Sequence, residues 1–502
     1  MFLKNELEKN EQPIFFRGKG KDMKKQIKLN CTVFFLLIFL GFGSIFAQMG
    51  PKDKFVFGPL NPIKMPKVET IDLKNGLKLF LVEDHEYPTI DLRAMVHTGS
   101  VFEPASKIGL AALTAQVLRT GGTAFQTGDE IDKELETMAA TIESFMDRDN
   151  GYIMVSVLKE DIDKALKILA DILMNPAFAE DKIELAKIQQ NSIISRRNDE
   201  IMQIANREFR KLIYGKESPY ARNPEYATIA AITQEDILDF CQGYFYPNNT
   251  IMAVWGDFDT KTVIAKIKNT LGKWKSVKMD TPQLPAFEYQ YKYTVNLINK
   301  PDVNQSNILI GHIGGLISNP DFPALNVMNS ILSYDRMFKK IRTDEGLAYA
   351  VWGYYGASYL YPGVFSSGAQ TKSESTVYAI ELMLKEMERI TQGEVTDEEL
   401  ARAKDEYLNS FVFNFDSKDK IVRRLMTYAY YSYPLDFMDK VKAGVEKITK
   451  ADVLRVAKEY LRPEKVQILV VGKKEEFDKP LSALGPVNVI DITIPPPPQP
   501  EE

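Results

Sequence analysis

The sequence predicts an α+β protein made of two tandem homologous domains, each a mostly antiparallel sheet with helices on one face. Three observations carry this prediction. First, Ile232, Thr233, Asp236, Leu238, Tyr244, Pro247, Val254 and Gly256 recur without a gap as Ile448, Thr449, Asp452, Leu454, Tyr460, Pro463, Val470 and Gly472, at an offset of 216 residues. Second, Phe178-Ala-Glu-Asp running to Ala186-Lys187 is matched by Val395-Thr-Asp-Glu running to Ala403-Lys404 at an offset of 217. Third, strand patterns and long helical patterns follow one another in both copies, each of which spans about 200 residues, an ordinary domain size.

At the start of the chain, Lys24, Lys25 and Lys28 precede an apolar run from Cys31 to Phe42 and a small residue at Ala47. A basic stretch, a short apolar stretch and a small residue at the cut make a signal peptide over about 23–47, so residues 1–47 read as leader and signal. The run is shorter than the ~20 apolar residues a span needs, so no stable membrane span is expected. A retained N-terminal anchor is the alternative. The expected location is exported, in a periplasm.

The N-terminal domain covers 67–273. Strands are expected at 67–73, 77–84 and 90–98, the first two joined at the hairpin signal Asn75-Gly76. Helices follow at 108–119, 128–140, 160–173, 180–210 and 233–244, with strands at 151–158 and 250–256. Residues 274–292 hold Pro282 and Pro285 and read as a linker. The C-terminal domain, 293–480, carries strands at 293–298, 306–313, 347–357, 363–370 and 466–472. Its helices are expected at 322–341, 373–390, 396–412, 417–430, 435–443 and 449–460. In both copies a Thr N-cap opens an amphipathic helix, and a Tyr-x-x-Pro exit leads into an apolar strand ending at Gly. Residues 481–502 read as a Pro-rich tail, with Pro495-Pro-Pro-Pro-Gln-Pro extended.

Composition excludes some classes. A net charge of −5 over 502 residues, with 45% hydrophobic and 26% charged content, leaves no concentrated basic face for nucleic acid. Once the signal is removed, Cys241 is the single cysteine, so no intrachain disulfide forms. Its place in an apolar-periodic helix points to a buried structural thiol.

Several phrases stand in order along the chain: Asn75-Gly76-Leu77, Gly99-Ser100, Gly109-Leu110-Ala111, Gly121-Gly122-Thr123, Tyr246-Pro247-Asn248-Asn249, Gly346-Leu347-Ala348-Tyr349 and Pro463-Glu464. Together they resemble the insulinase and pitrilysin zinc peptidases, in the two-domain branch of bacterial and mitochondrial-processing type, over roughly Val68 to Gly472. Active members carry an inverted motif, H-x-x-E-H, whose two imidazoles hold zinc on one helix face while the Glu activates the metal-bound water. The corresponding positions here are Ala112, Ala115 and Gln116. Where the family places its distal Glu ligand, the sequence reads Gln189-Gln190-Asn191-Ser192-Ile193-Ile194. No metal ligand set is expected in this chain, and no cofactor of its own. The three histidines offer no substitute: His85 lies in a charged turn, and His97 and His312 fall in strand patterns.

The resemblance implies a different role for the C-terminal domain. In the family an Arg and a Tyr from that domain reach toward substrate at the partner domain's zinc, and Arg342-Thr-Asp-Glu-Gly-Leu-Ala-Tyr349 keeps their spacing. Gly346 is a natural residue to end the helix holding Arg342. From residue types alone, Arg342 as a helix-end charge and Tyr349 as a packing residue is the competing reading. The family's glycine-rich loop before its Ser-Arg-Leu/Met-Phe phrase is replaced by Leu332-Ser333-Tyr334-Asp335-Arg336-Met337-Phe338, read as a shortened turn at Ser333-Asp335.

The leading expectation is the non-catalytic subunit of a heterodimeric zinc peptidase. Its partners would be a homologous subunit that carries the zinc, and a peptide substrate. A non-enzymatic exported scaffold or binding protein with the same fold is the alternative. An autonomous hydrolase lacks both ligands and base.

Overall fold

Asn75-Gly76 does close a hairpin, with Gly76 at φ +90°, a left-handed conformation open to glycine. The structure, a computed structural model, describes residues 66–279 and 283–499. The stretch read as a signal peptide, Cys31, Pro282 and the last residues of the tail lie outside the described residues.

The first half runs β1 (Glu69–Asp72), β2 (Lys78–Glu83), β3 (Thr89–Val96), α1 (Leu110–Thr120), α2 (Gly128–Thr137), β4 (Thr141–Met146), β5 (Gly151–Leu158), α3 (Ile162–Met174), α4 (Glu180–Arg196), α5 (Ile201–Tyr214), α6 (Tyr226–Ala230), α7 (Gln234–Tyr244), β6 (Thr250–Gly256) and α8 (Thr260–Thr270). Its sheet has the order β1-β2-β6-β3-β5-β4, antiparallel except where β2 lies parallel to β6.

The second half runs β7 (Thr294–Asn299), β8 (Gln305–Ile313), β9 (Gly315–Leu316), α9 (Phe322–Ser330), a π-type helix (Ile331–Asp344), β10 (Ala348–Tyr355), β11 (Ala357–Ser358), β12 (Val364–Lys372), α10 (Thr376–Gln392), α11 (Asp397–Ser410), α12 (Lys418–Tyr430), α13 (Phe437–Lys447), α14 (Lys450–Tyr460), β13 (Gln467–Gly472) and β14 (Val487–Val489). Its six-stranded sheet has the order β10-β12-β8-β13-β7-β14. The repeat is visible in atomic detail. Thr233 and Thr449 cap α7 and α14 alike, each hydroxyl accepting from an Asp N–H at 3.2 Å while that Asp carboxylate accepts the Thr N–H. Each reciprocal cap satisfies two otherwise orphaned N–H groups and is worth about 1 kcal/mol.

Each sheet packs its own helices against one face, burying Leu79, Leu81, Leu92, Leu113 and Leu118 in the first half and Ile308, Ile310, Leu325, Met328 and Met383 in the second. The opposite face of each sheet is covered by a helix from the other half. Ile204, Ala205, Phe209 and Ile213 of α5 meet Leu309, Ile313, Leu469 and Val471 of the second sheet. Val422, Met426 and Tyr430 of α12 meet Phe80, Val82, Met95 and Ala253 of the first. α5 and α12 occupy equivalent places in the two copies, so the exchange is reciprocal. It also explains why β6, β8 and β13 are buried along nearly their whole length.

This exchange corrects the single helix expected over 180–210. The chain turns at 197–200, where Asp199 N–H returns to Arg196 O, and Asn198 Nδ2 donates to Ile492 O at 2.7 Å. That turn sends α5 across to the second sheet. The tail also begins later than expected. Val487–Val489 adds β14 parallel to β7, and Ile490 N–H donates to Leu297 O at 2.8 Å, which pairs an edge that would otherwise expose backbone. The linker packs too, Tyr220 donating its hydroxyl to Pro285 O at 2.7 Å beside the half-buried Phe287.

Candidate functional site

α1 is the helix on which the resemblance would place zinc. Gly109, at φ +107°, precedes it, and the buried carboxylate of Glu103 accepts from Gly109 N–H at 3.2 Å and Ala111 N–H at 2.7 Å. Burial pushes the Glu103 carboxyl up to about 7 against these two bonds. The helix therefore starts rigidly, and its apolar side buries Leu110, Leu113, Val117 and Leu118.

The other side of α1 meets α4. Gln116 Nε2 donates to Gln189 Oε1, and Gln190 Nε2 donates to Gln116 Oε1 at 3.2 Å. The positions of the second histidine and the distal carboxylate are thus brought together, but they hold amides that satisfy one another. Ala112 and Ala115 offer methyl groups. At the end of the helix Arg119 pairs with Asp132, and its other arm lies 3.5 Å from Glu143. Among the described residues no group of three His, Cys, Asp or Glu side chains is arranged to hold a metal ion. A zinc ion needs imidazole, thiolate or carboxylate donors, and this set does not fit it.

The histidines lie elsewhere. His85 Nδ1 is 2.6 Å from Asp257 Oδ1 in an exposed charged turn, where Lys159 also pairs with Asp257 at 2.6 Å. His97 stacks on Tyr430 with ring centroids 3.9 Å apart, and burial holds its imidazole down at about 4. His312 is fully buried, bonded through Nδ1 to Ile313 O at 2.6 Å, and is likewise held at about 4, chiefly by burial. Cys241 is buried, which pushes its thiol up to about 12 and away from reactivity.

Arg342 and Tyr349 are brought together. The π-type helix ends at Asp344, and Gly346 follows at φ +65°, with Leu347 N–H returning to Ile341 O at 3.0 Å. Tyr349 is the extra residue in a β-bulge: Ala348 faces Thr371 and Ala350 faces Gln370, leaving Tyr349 without an opposite partner. Bulges re-aim side chains, and this one turns Tyr349 outward to 76% exposure, so it does not pack into the core. The Arg342 guanidinium lies over two rings, 5.1 Å from the Phe338 centroid and 5.7 Å from that of Tyr349. Both donors face solvent from one helix-to-strand corner.

Ser333-Tyr334-Asp335 is not a turn. It lies inside the π-type helix, where the buried Asp335 carboxylate takes Arg402 at 2.6 Å and Lys339 at 2.7 Å. Ser333 Oγ and Asn329 Oδ1 accept from Gly353 and Tyr355 N–H at 3.0 and 2.8 Å, covering part of the free edge of β10. The helix expected over 322–341 runs through the phrase that the resemblance alone read as a shortened turn, and the ion pairs hold it there.

Residues 78–215 match the family described as Insulinase (Peptidase family M16), and residues 231–407 match the Peptidase M16 inactive domain. The chain belongs to the insulinase, or M16, family. Among curated proteins it is similar to an uncharacterized zinc protease of Rickettsia felis, at 25% identity over 73% of this chain and 89% of that protein. It is also similar to the non-peptidase homolog YmxG of Helicobacter pylori, at 23% identity over 78% of this chain and 91% of that one. A third relative is the mitochondrial-processing peptidase subunit beta of Dictyostelium discoideum, at 22% identity over 81% and 89%. Among solved structures, the peptidase M16 inactive domain from Pseudomonas fluorescens superposes with a TM-score of 0.70 at 23% identity, over 81% of this chain and 98% of that one. These M16 relatives thus include proteins named for zinc proteolysis and one named as a non-peptidase. On α1 and α4 this chain presents alanines and amides where the resemblance places the family's zinc donors and base.

Proposed function

We propose that this chain is the non-catalytic subunit of a heterodimeric zinc metallopeptidase. It contributes Arg342, Tyr349 and half of a peptide-binding chamber, and a homologous partner contributes the zinc. One contrast carries the reading: the metal positions on α1 and α4 are filled by alanines and hydrogen-bonded amides, while the Arg342–Tyr349 corner is built and left facing solvent. A guanidinium and a phenol are donors suited to a substrate carbonyl or a developing oxyanion. The similarity to a processing-peptidase subunit supports a paired arrangement. The basic, apolar and small-residue pattern over about 23–47 supports export to a periplasm.

The test is reconstitution with the zinc-bearing M16 homologue from the same envelope. Hydrolysis should appear on mixing and fall in Arg342→Ala and Tyr349→Phe. A second reading, a non-enzymatic scaffold or binding protein, is favoured by the way Arg342 is already held by the rings of Phe338 and Tyr349. It wins if the two variants leave mixed activity unchanged.

A further inference from the structure

Among the described residues no carboxylate or carbonyl binds the Arg342 guanidinium; two rings hold it instead, Phe338 at 5.1 Å and Tyr349 at 5.7 Å. An exposed arginine has wide rotamer freedom, so its pose depends on how firmly those rings stand. The Phe338 ring is one step in a longer stack. Tyr334, Phe338 and Arg342 are four residues apart along the π-type helix. The Tyr334 ring centroid lies 5.5 Å from that of Phe338 with the planes 13° apart, and the Arg402 guanidinium lies 4.8 Å from the Tyr334 centroid. Arg402, Tyr334, Phe338, Arg342 and Tyr349 therefore form one continuous run from α11 to β10.

The α11 end of that run is fixed. Arg402 brings Nε to 2.7 Å and Nη2 to 2.6 Å from Oδ2 of Asp335, whose side chain is 2% exposed. It donates Nη1 to Glu406 Oε2 at 2.9 Å and Nη2 to Ser330 Oγ at 3.0 Å. Every nitrogen of the guanidinium is committed, so its plane is set, and a planar cation in turn sets the ring lying against it. Lys339 binds the other Asp335 oxygen at 2.7 Å and places its ammonium 5.3 Å from the centre of the same ring. Tyr334 itself is 44% exposed, so its ring serves this stack more than the buried core.

We propose that Tyr334 and Arg402 are positioning residues for Arg342: they carry the rigid anchor on α11 through Phe338 and fix the direction in which the guanidinium meets a substrate carbonyl. A donor held by a supporting layer of this kind is pre-organised and loses less freedom when it acts. The inference rests on the reading of Arg342 given above, and neither positioning residue needs to touch substrate.

Two readouts test it. In the isolated mature chain carrying isotope-labelled arginine, the Arg342 Nε–Hε resonance, assigned by its loss in Arg342→Lys, should sit at a ring-shifted position. Tyr334→Ala should move it toward the value of an unstacked arginine, and Tyr334→Phe, which keeps the ring, should leave it in place. An unmoved resonance in Tyr334→Ala overturns the proposal, whatever the pair does. In the reconstituted pair, Tyr334→Ala should lower kcat roughly three- to fivefold with KM unchanged, while Tyr334→Phe stays at the wild-type rate. In an Arg342→Ala background the same Tyr334→Ala change should cost nothing further. An equal loss in that background overturns positioning and makes Tyr334 a structural residue. Failure of the functional reading looks different: Arg342→Ala then leaves hydrolysis unchanged, and the resonance in the isolated chain still decides the positioning.

Discussion

Tyr349 sits at a β-bulge seven residues after Arg342, and the bulge brings its ring to 5.7 Å from the Arg342 guanidinium. The helix end at Asp344, the left-handed Gly346 and the bulge are three separate backbone devices that converge on this one corner. Both side chains are exposed, so Arg342→Ala and Tyr349→Phe should each change stability by less than about 0.5 kcal/mol. The same variants should lower hydrolysis by the reconstituted pair, by on the order of 100-fold if they hold a developing oxyanion. Thermal melts and peptide assays on the same preparations check both halves of this statement.

Metal should not stabilise the isolated chain. A ligand present at 100 times its dissociation constant raises stability by about 2.7 kcal/mol, which a melt detects easily. Because the α1 and α4 positions hold alanines and hydrogen-bonded amides in place of zinc donors, micromolar zinc or a chelator should leave the melting temperature unchanged. A reproducible rise with zinc would contradict the assignment of the α1 positions.

Tyr430 of α12 donates its hydroxyl to Val96 O at 3.1 Å and Asp149 O at 2.8 Å, both in the first half of the chain. Tyr430→Phe leaves two carbonyls without that donor and should cost about 1–3 kcal/mol. Because α5 and α12 are exchanged, the two halves should unfold together in a single calorimetric transition, and the variant should move that transition as a whole.

The contribution of His312 to stability should fall as pH drops from about 6.5 toward 4, opposed by Glu103, whose raised carboxyl takes up its proton in the folded chain first. His312 is held down at about 4 by burial, and its Nε2 is buried without an acceptor. Between an unfolded value of about 6.5 and the folded value, the unfolded chain binds the extra proton, so acid favours unfolding over that window. At pH 7 the neutral imidazole contributes its full share, on the order of 3 kcal/mol, and that share is lost on acidification. Denaturant midpoints across pH 4–7 should slope less steeply in His312→Asn, which keeps a donor near Nδ1. His97 adds to the slope in the same direction.

The parts of this fold that were legible in the sequence are those fixed by local chemistry. Thr233 with Asp236 and Thr449 with Asp452 mark two helix starts because only a side chain can satisfy those N–H groups, and Gly346 marks a helix end because its φ is positive. Alternation in β5 reads directly as a strand. The exchange of α5 and α12 was not legible. The apolar runs Ile308–Ile310 in β8 and Ile468–Val471 in β13 say that both faces are covered there, but an apolar run is silent about which helix covers it. Val487–Val489 is too short to stand out as a strand. The helical pattern over 322–341 was legible, and only the resemblance suggested a turn at Ser333-Tyr334-Asp335, which Arg402 and Lys339 hold within the helix. At the site, the missing donors on α1 were plain from Ala112, Ala115 and Gln116. The amide network was not, because it depends on α4 laying Gln189 and Gln190 against Gln116.

The most direct measurement is peptide hydrolysis and zinc content for three samples: this chain, its zinc-bearing homologue from the same envelope, and their equimolar mixture. The account predicts a complex with one zinc per pair, carried by the homologue, and activity well above that of either chain alone. One zinc per molecule in the isolated chain, or hydrolysis by it alone, would contradict the account.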